Sequence, residues 1–241
     1  MCEEFDMSES KDNFEKGIFW KLYLDLEHQF QNFLEYVPYL EGNEKTYSFK
    51  LLNLILSIGG HIDSAFKEMA RYPKFSINSE CRQILKLLQE KKVIPITLPL
   101  KAFDKEYGIS NKIVIFKCLP EVLEVVPFKP RSKTAISPHW WKIYNGLKHD
   151  VGINLKEANL LNTLHALAGA FLLNVIHEPA ILRFYQHRMF KYLYKQKDGT
   201  YRISKKAALE FPMSIIEYAL EHKQSLPFMI ETPLFIYEYE Q

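Results

Sequence analysis

The chain holds only three cysteines in 241 residues, Cys2, Cys81 and Cys118. They are widely spaced and form no CxxC pair, which excludes a disulfide framework and a zinc-ribbon type of site. Such usage suits a reducing compartment, so a cytoplasmic location is expected. Long apolar runs are also lacking. The longest, "LHALAGAFLLNVI", spans 13 residues and contains His165. That is too short to cross a bilayer and reads as a buried helix, so no membrane partner is expected. The start, "MCEEFDMSESKDNFEKG", is acidic and polar, and does not read as a signal peptide. GxGxxG and GxxxxGK[ST] are absent, as is the GxSxG of a nucleophile elbow. His177, His187 and His222 have no partner at metal-ligand spacing, so neither a metal nor a cofactor is expected. The net charge is only +2, giving no global signal for a polyanion. The chain has no internal repeat and no low-complexity tract.

Apolar residues make up 47% of the chain and aromatics 14%, enough for a sizeable core in a single domain spanning 1–241. Charge is unevenly distributed. Residues 1–47 carry eleven acids and four bases, residues 183–206 carry eight bases and one acid, and residues 207–241 carry six acids and one base. These read as local patches.

Apolar spacing at three and four predicts helices over 13–41, 45–72, 78–91, 137–149, 155–177 and 206–222. Phe49, Leu52, Leu56, Ile62, Phe66 and Met69 mark the apolar face of the second. Gly59-Gly60 within it costs roughly 1 kcal/mol per glycine relative to alanine, so a neighbouring helix or a bend is expected there. Ser137 and Pro138 read as an N-cap followed by proline at the first helical position. Residues 92–136 differ. "VIPITL", "KIVIFK" and "EVLEVVPF" are β-branched and bounded by prolines, and read as strands or extended pieces of an insertion. "MFKYLYKQKDGTYRIS" reads as a hairpin with Asp198-Gly199 as a two-residue turn, and "PLFIYEYE" is extended. The expected fold is mainly α: a helical bundle, 13–91 and 137–180, with a short β or irregular insertion at 92–136. A C-terminal elaboration, 181–241, contains the β-hairpin.

The densest stretch is "SPHWWKIYNGLKHD", residues 137–150. On a helical wheel Trp140, Ile143, Tyr144 and Leu147 form a stripe for burial. Lys142, Asn145 and His149 fall on the adjacent side, flanked by Trp141 and Lys148, and Gly146 leaves room for another backbone. Histidine moves protons near neutral pH, asparagine donates an orienting hydrogen bond, and lysine offsets developing charge. Trp141 offers a surface for base stacking. The same residues also suit a plain solvated helix face over a tryptophan-rich core, and residue types alone favour that.

"PHWWKIYNGLKHD", followed by "EANLLNTLHALAGAFLL", resembles the HEPN superfamily of all-helical domains. "HIDSAFKEM" at 61–69 resembles a stretch on an early helix of some members. The likeness covers residues 13–91 and 137–177. Many members are metal-independent endoribonucleases of toxin–antitoxin, abortive-infection and CRISPR systems. The resemblance implies a bundle of four or five helices, a homodimer, an RNA substrate and an antitoxin-type protein partner. The family signature is an arginine, a polar residue and, three to five residues later, a histidine. In "YNGLKH" Asn145 stands as the polar residue and His149 as the histidine. Tyr144 stands where the family has arginine, and tyrosine carries no fixed positive charge. By this resemblance His149, Asn145 and Lys148 are the candidate catalytic residues.

Lys142, Trp141, Arg183, Arg188 and Lys191 are the candidate RNA-binding residues, because bases interleaved with aromatics over 183–206 suit single-stranded nucleic acid. The same arm equally suits a hairpin packed on the body. Asp63 and Lys67 form an i,i+4 pair that, with His61, either faces solvent or lines a cleft opposite His149. Asn159 and Asn162 either buttress His149 or satisfy the core. Three functions remain open: a HEPN-like RNA-binding or ribonuclease-type protein of a defence kind, a non-catalytic homodimeric interaction module, and a bundle with a small-molecule pocket beside Trp140 and Trp141.

Overall fold

The computed structural model describes residues 17–70, 79–92, 97–118, 121–132, 137–176, 190–195, 201–204 and 228–238. These residues are mainly helical, with one antiparallel sheet. The helices are α1 (Ile18–Leu34), α2 (Phe49–Met69), α3 (Ser79–Gln89), α4 (Thr97–Tyr107), α5 (His139–His149), the single turn α6 (Val151–Asn154) and α7 (Leu160–Ile176). The strands are β1 (Val114–Cys118), β2 (Glu121–Val125), β3 (Phe190–Lys195), β4 (Tyr201–Ser204), β5 (Phe228–Glu231) and β6 (Phe235–Glu238).

Helix α1 buries Trp20, Tyr23, Leu26, Phe30 and Phe33, the three-and-four spacing of one face. Helix α2 begins at Ser48, whose hydroxyl accepts from the Leu51 N–H at 3.1 Å. Its first residue, Phe49, is exposed, against the expectation that it joins the apolar face. Helix α7 is buried on nearly every side; only Leu161 and His165 are half-buried. Asn159 starts it, its Oδ1 accepting from Asn162 N–H at 3.0 Å, while Asn162 Nδ2 donates to Glu157 O at 2.9 Å. Both asparagines thus serve the backbone and not His149. The stretch expected to run as one helix from 155 is broken by them, with Leu155–Glu157 forming a separate 3-10 turn.

Residues 97–107 are helical where an extended segment is expected. Pro99 sits in the first turn of α4, where its missing N–H has no intrahelical partner to lose. Leu100, Ala102 and Phe103 are buried, and the Phe103 ring meets Phe66 edge-on at 4.9 Å. Gly108, at φ +62°, closes the helix in the left-handed region.

All strand pairs are antiparallel, in the order β2-β1-β6-β5-β3-β4. The insertion and the C-terminal elaboration therefore share one sheet, joined where Ile115 pairs with Ile236 and Phe116 with Phe235. The β3–β4 ladder closes at Lys195–Tyr201, with residues 196–200 between the two strands. Asp198 and Gly199 lie outside the described residues, as does the expected helix 206–222. Phe235 stacks on Phe171 of α7 at 5.6 Å, and Tyr23 of α1 meets Phe171 at 5.6 Å, so helices and sheet share one core.

A buried carboxylate joins the two layers. Glu27 lies within the apolar face of α1, and its Oε1 accepts from the Thr232 hydroxyl and from Leu234 N–H at 3.0 Å. It holds the turn between β5 and β6 by its backbone. Lys117 of β1 donates to Glu231 at 2.8 Å and to the Thr232 carbonyl beside it. Burial pushes the Glu27 carboxyl above its ordinary range, against the lowering effect of its hydrogen bonds. A group raised in this way favours the folded state at acid pH, and that contribution is lost as pH rises through its folded pKa. Glu27→Gln keeps the accepting oxygen and removes the buried charge. Urea unfolding from pH 4 to 8 should show the variant gaining on the wild type as pH rises. Glu27→Leu should lose about 1–3 kcal/mol by orphaning the Leu234 N–H and the Thr232 hydroxyl.

Candidate functional site

Helix α5 carries the candidate chemistry. Its N-cap is Pro138, at φ −65° and ψ 160°, with no side-chain cap, so the helix starts one residue later than the Ser137 expectation. Trp140, Ile143, Tyr144 and Leu147 are buried as the wheel predicts. Trp140 Nε1 donates to Pro127 O at 2.6 Å, tying α5 to the end of β2. Trp141 is buried too, 6% exposed, with its ring 4.8 Å from Tyr144 and 5.6 Å from Trp140. It offers no open face to a base, and both tryptophans belong to the buried core.

Tyr144 lies flat over Gly59 of α2. A Cβ at Gly59 would fall 2.2 Å from Tyr144 Cδ2, well inside contact distance. Gly60 has nothing within 4 Å of the same position. One glycine of the pair is therefore required by the helix crossing and the other is not. Burial pushes the Tyr144 phenol up, helped by Asp63 and opposed by Lys67, so it stays neutral. Asp63 and Lys67 form an ion pair, both partly exposed, that acts on this phenol. Lys148 Nζ sits 5.9 Å from the Tyr144 ring centre, a cation over an aromatic face.

Asn145 is turned to its own helix. Its Nδ2 donates to the Trp141 carbonyl at 3.0 Å, which takes up the amide expected to orient a substrate. Gly146 receives a side chain and not a backbone: Asn154 Nδ2 donates to Gly146 O at 3.1 Å and to Asp150 O at 2.8 Å. These bonds satisfy carbonyls at the end of α5. Lys142, Lys148 and His149 are exposed. The last two stand in the final turn, where a positive charge is favoured by the helix dipole.

His61 does not line a cleft opposite His149. It is buried, accepts at Nε2 from Asn174 Nδ2 of α7 at 3.1 Å, and meets Phe19 of α1 edge-on at 5.7 Å. That acceptor role leaves the proton on Nδ1, which has no partner. Burial pushes its pKa down to about 4. Arg183 and Arg188 lie outside the described residues, and Lys191 lies on β3 opposite Met229. Among the described residues no three His, Cys, Asp or Glu stand together as a metal site, and no helix is long and apolar enough to cross a membrane.

Sequence reasoning missed Glu27 and the His61–Asn174 pair. The signal for Glu27 was available: it replaces an apolar residue in the stripe formed by Tyr23, Leu26 and Phe30. The arrangement on α5 is thus a basic ridge over a packed aromatic seam. No family model, curated protein or solved structure matches the chain.

Gly59→Ala should lose about 1–3 kcal/mol through overpacking against Tyr144, whereas Gly60→Ala should be neutral or gain about 0.5–1 kcal/mol. Chemical unfolding of the two variants beside the wild type checks the contrast.

Proposed function

We propose that the chain is a non-catalytic, homodimeric interaction module of a defence kind, built on a HEPN-like helical scaffold. One observation carries this reading: the position of the family arginine holds Tyr144, a neutral phenol packed on Gly59. A side chain that seals a helix crossing cannot swing out to neutralise a phosphate. Asn145 is also committed, to the Trp141 carbonyl. His149 alone, without a cation in the arginine's place or a second proton-transfer group, lacks the means to activate a ribose hydroxyl and protonate a leaving oxygen. On this reading the scaffold presents surfaces to a protein partner of the antitoxin type.

A second reading is favoured by the exposure of Lys142, Lys148 and His149 along α5. These bases suit contact with RNA phosphates without cleavage. Salt dependence separates the two readings. If RNA is bound there, Lys142→Ala and Lys148→Ala should each lower the slope of log affinity against log salt by about 1.

Incubation of the pure chain with RNA in the absence of metal, beside His149→Ala, tests the central claim. Both proteins should leave the RNA intact. Cleavage by the wild type that disappears in His149→Ala would overturn the reading.

A further inference from the structure

Strand β2 ends the sheet, and among the described residues it pairs with β1 alone. The direction of its backbone groups is fixed by β1. Lys117 N–H donates to Leu234 O at 2.8 Å, so the backbone of Lys117 faces β6 and not β2. In an antiparallel ladder the residue opposite such a position also turns its N–H and C=O away from the pair. Lys117 stands opposite Val122, and Ile115, two residues back, stands opposite Glu124. The N–H and C=O of Val122 and Glu124 therefore point off the edge of the sheet. Among the described residues nothing bonds to them.

This edge lacks devices that commonly close one. The ladder runs through five consecutive pairs with no bulge, and neither proline nor lysine stands in the strand. Val122 is 68% exposed, a β-branched apolar side chain at an open edge. On the same face Glu124 is exposed. On the other face Leu123 is half-buried and packs against the core. The exposed bases Lys129 and Arg131 come only after a turn that Lys129 N–H closes on Val126 O at 3.2 Å, and the chain then passes to the bridge between Pro130 and Pro138.

These groups select the partner. Unpaired donors and acceptors at the spacing of a strand match another strand. A helix does not meet them, because its own backbone is already paired. RNA phosphates accept but do not donate, and Glu124 repels them. A second copy fails at Glu124, because β2, "EVLEV", holds no base to set opposite an acid.

We infer that the outer edge of β2 is a docking site for an extended peptide segment of a partner protein, which adds a further antiparallel strand to the sheet. The segment carries a base opposite Glu124, an apolar residue opposite Val122 and another between them against Leu123. Its residues opposite Val122 and Glu124 each exchange both backbone hydrogen bonds with the edge, and the side chains give the selectivity. The inference rests on the interaction-module reading above and names the surface and the chemistry of the partner.

The probe is a capped, dye-labelled peptide, Thr-Val-Lys-Leu-Val-Thr, titrated with the full chain and followed by fluorescence anisotropy. It should bind saturably. The same peptide with glutamate in place of lysine should bind at least about threefold more weakly. Hydrogen exchange locates the contact. In the free chain the Val122 and Glu124 amides should exchange fast and the Leu123 amide, bonded to β1, slowly; the peptide should slow the first two. Val122→Pro removes an outward donor without touching the β1 ladder, and should weaken binding by about tenfold or more. Glu124→Lys should reverse the preference between the two peptides. Unchanged circular dichroism certifies each fold, and if Val122→Pro does not fold, the Glu124→Lys reversal decides. Absence of saturable binding by the lysine peptide would overturn the proposal, as would binding that both variants leave unchanged. Sedimentation velocity that shows a dimer of the wild type, lost in Glu124→Lys, would overturn it too, by assigning the edge to a second copy. RNA cleavage is scored separately. His149-dependent cleavage by a chain that binds the peptide would overturn the functional reading and leave the edge site standing; intact RNA without peptide binding would overturn the edge site alone.

Discussion

The close crossing of α2 and α5 sets the terms for much of the fold. Tyr144 can lie flat only because residue 59 has no side chain. With the two helices held at that distance, Trp140 reaches the small residue Gly169 of α7 and donates to the Pro127 carbonyl beyond β2. Three helices and the end of a strand are thus registered by one missing methyl group. The same contact decides the chemistry available on α5. A phenol pressed into the seam is a packing element, and the charged side chains of α5, Lys142, Lys148 and His149, stay on its exposed side.

The second constraint is electrostatic. The turn between β5 and β6 brings backbone N–H groups against the helical layer, where water is excluded. Glu27 meets that need with one oxygen shared between Thr232 and Leu234. Burying a carboxylate is unfavourable, and its raised pKa records this. The arrangement persists because the alternative leaves unpaired backbone donors in the core. His61 shows the complementary case, a base held neutral by burial with a single hydrogen bond to Asn174. The two groups respond to pH in opposite senses: acid favours burial of the Glu27 carboxyl, against the pull of its hydrogen bonds, and disfavours burial of His61.

Local pattern carried the helices well. The apolar face of α1 and the stripe of α5 were legible, because each depends on neighbours within a turn or two; the Gly59-Gly60 pair marked a close approach of helices without naming its partner. Three features were not. Helix α4 was hidden by prolines that suggest extended chain, since a proline in the first helical turn looks the same in sequence as one in a strand. Trp141 was placed on the polar side because the wheel gives each residue one angle. A large indole at the boundary is drawn under by ring contacts with Trp140 and Tyr144. The union of the insertion with the C-terminal strands was invisible because strand pairing is not local, and nothing in "KIVIFK" names "LFIYE" as its neighbour. At the candidate site, the sequence shows residue types but not their contacts. The structure adds those contacts, with Asn145 bonded to its own helix and Tyr144 packed on Gly59.

The sheet order has a consequence for how the molecule is made. Strand β1 pairs on one side with β2, a few residues on, and on the other with β6, more than a hundred residues later. The first hairpin can form early, but its inner edge stays open until the last strands emerge from synthesis. Through that interval Phe116 has no Phe235 to cover it. Contacts of such separation slow folding and leave a sticky edge exposed while the chain is incomplete. The late closure by β6 makes the C-terminal strands the step that commits the protein to its native state. A chain interrupted before them would leave Phe171 without Phe235 and Glu27 without its partners Thr232 and Leu234.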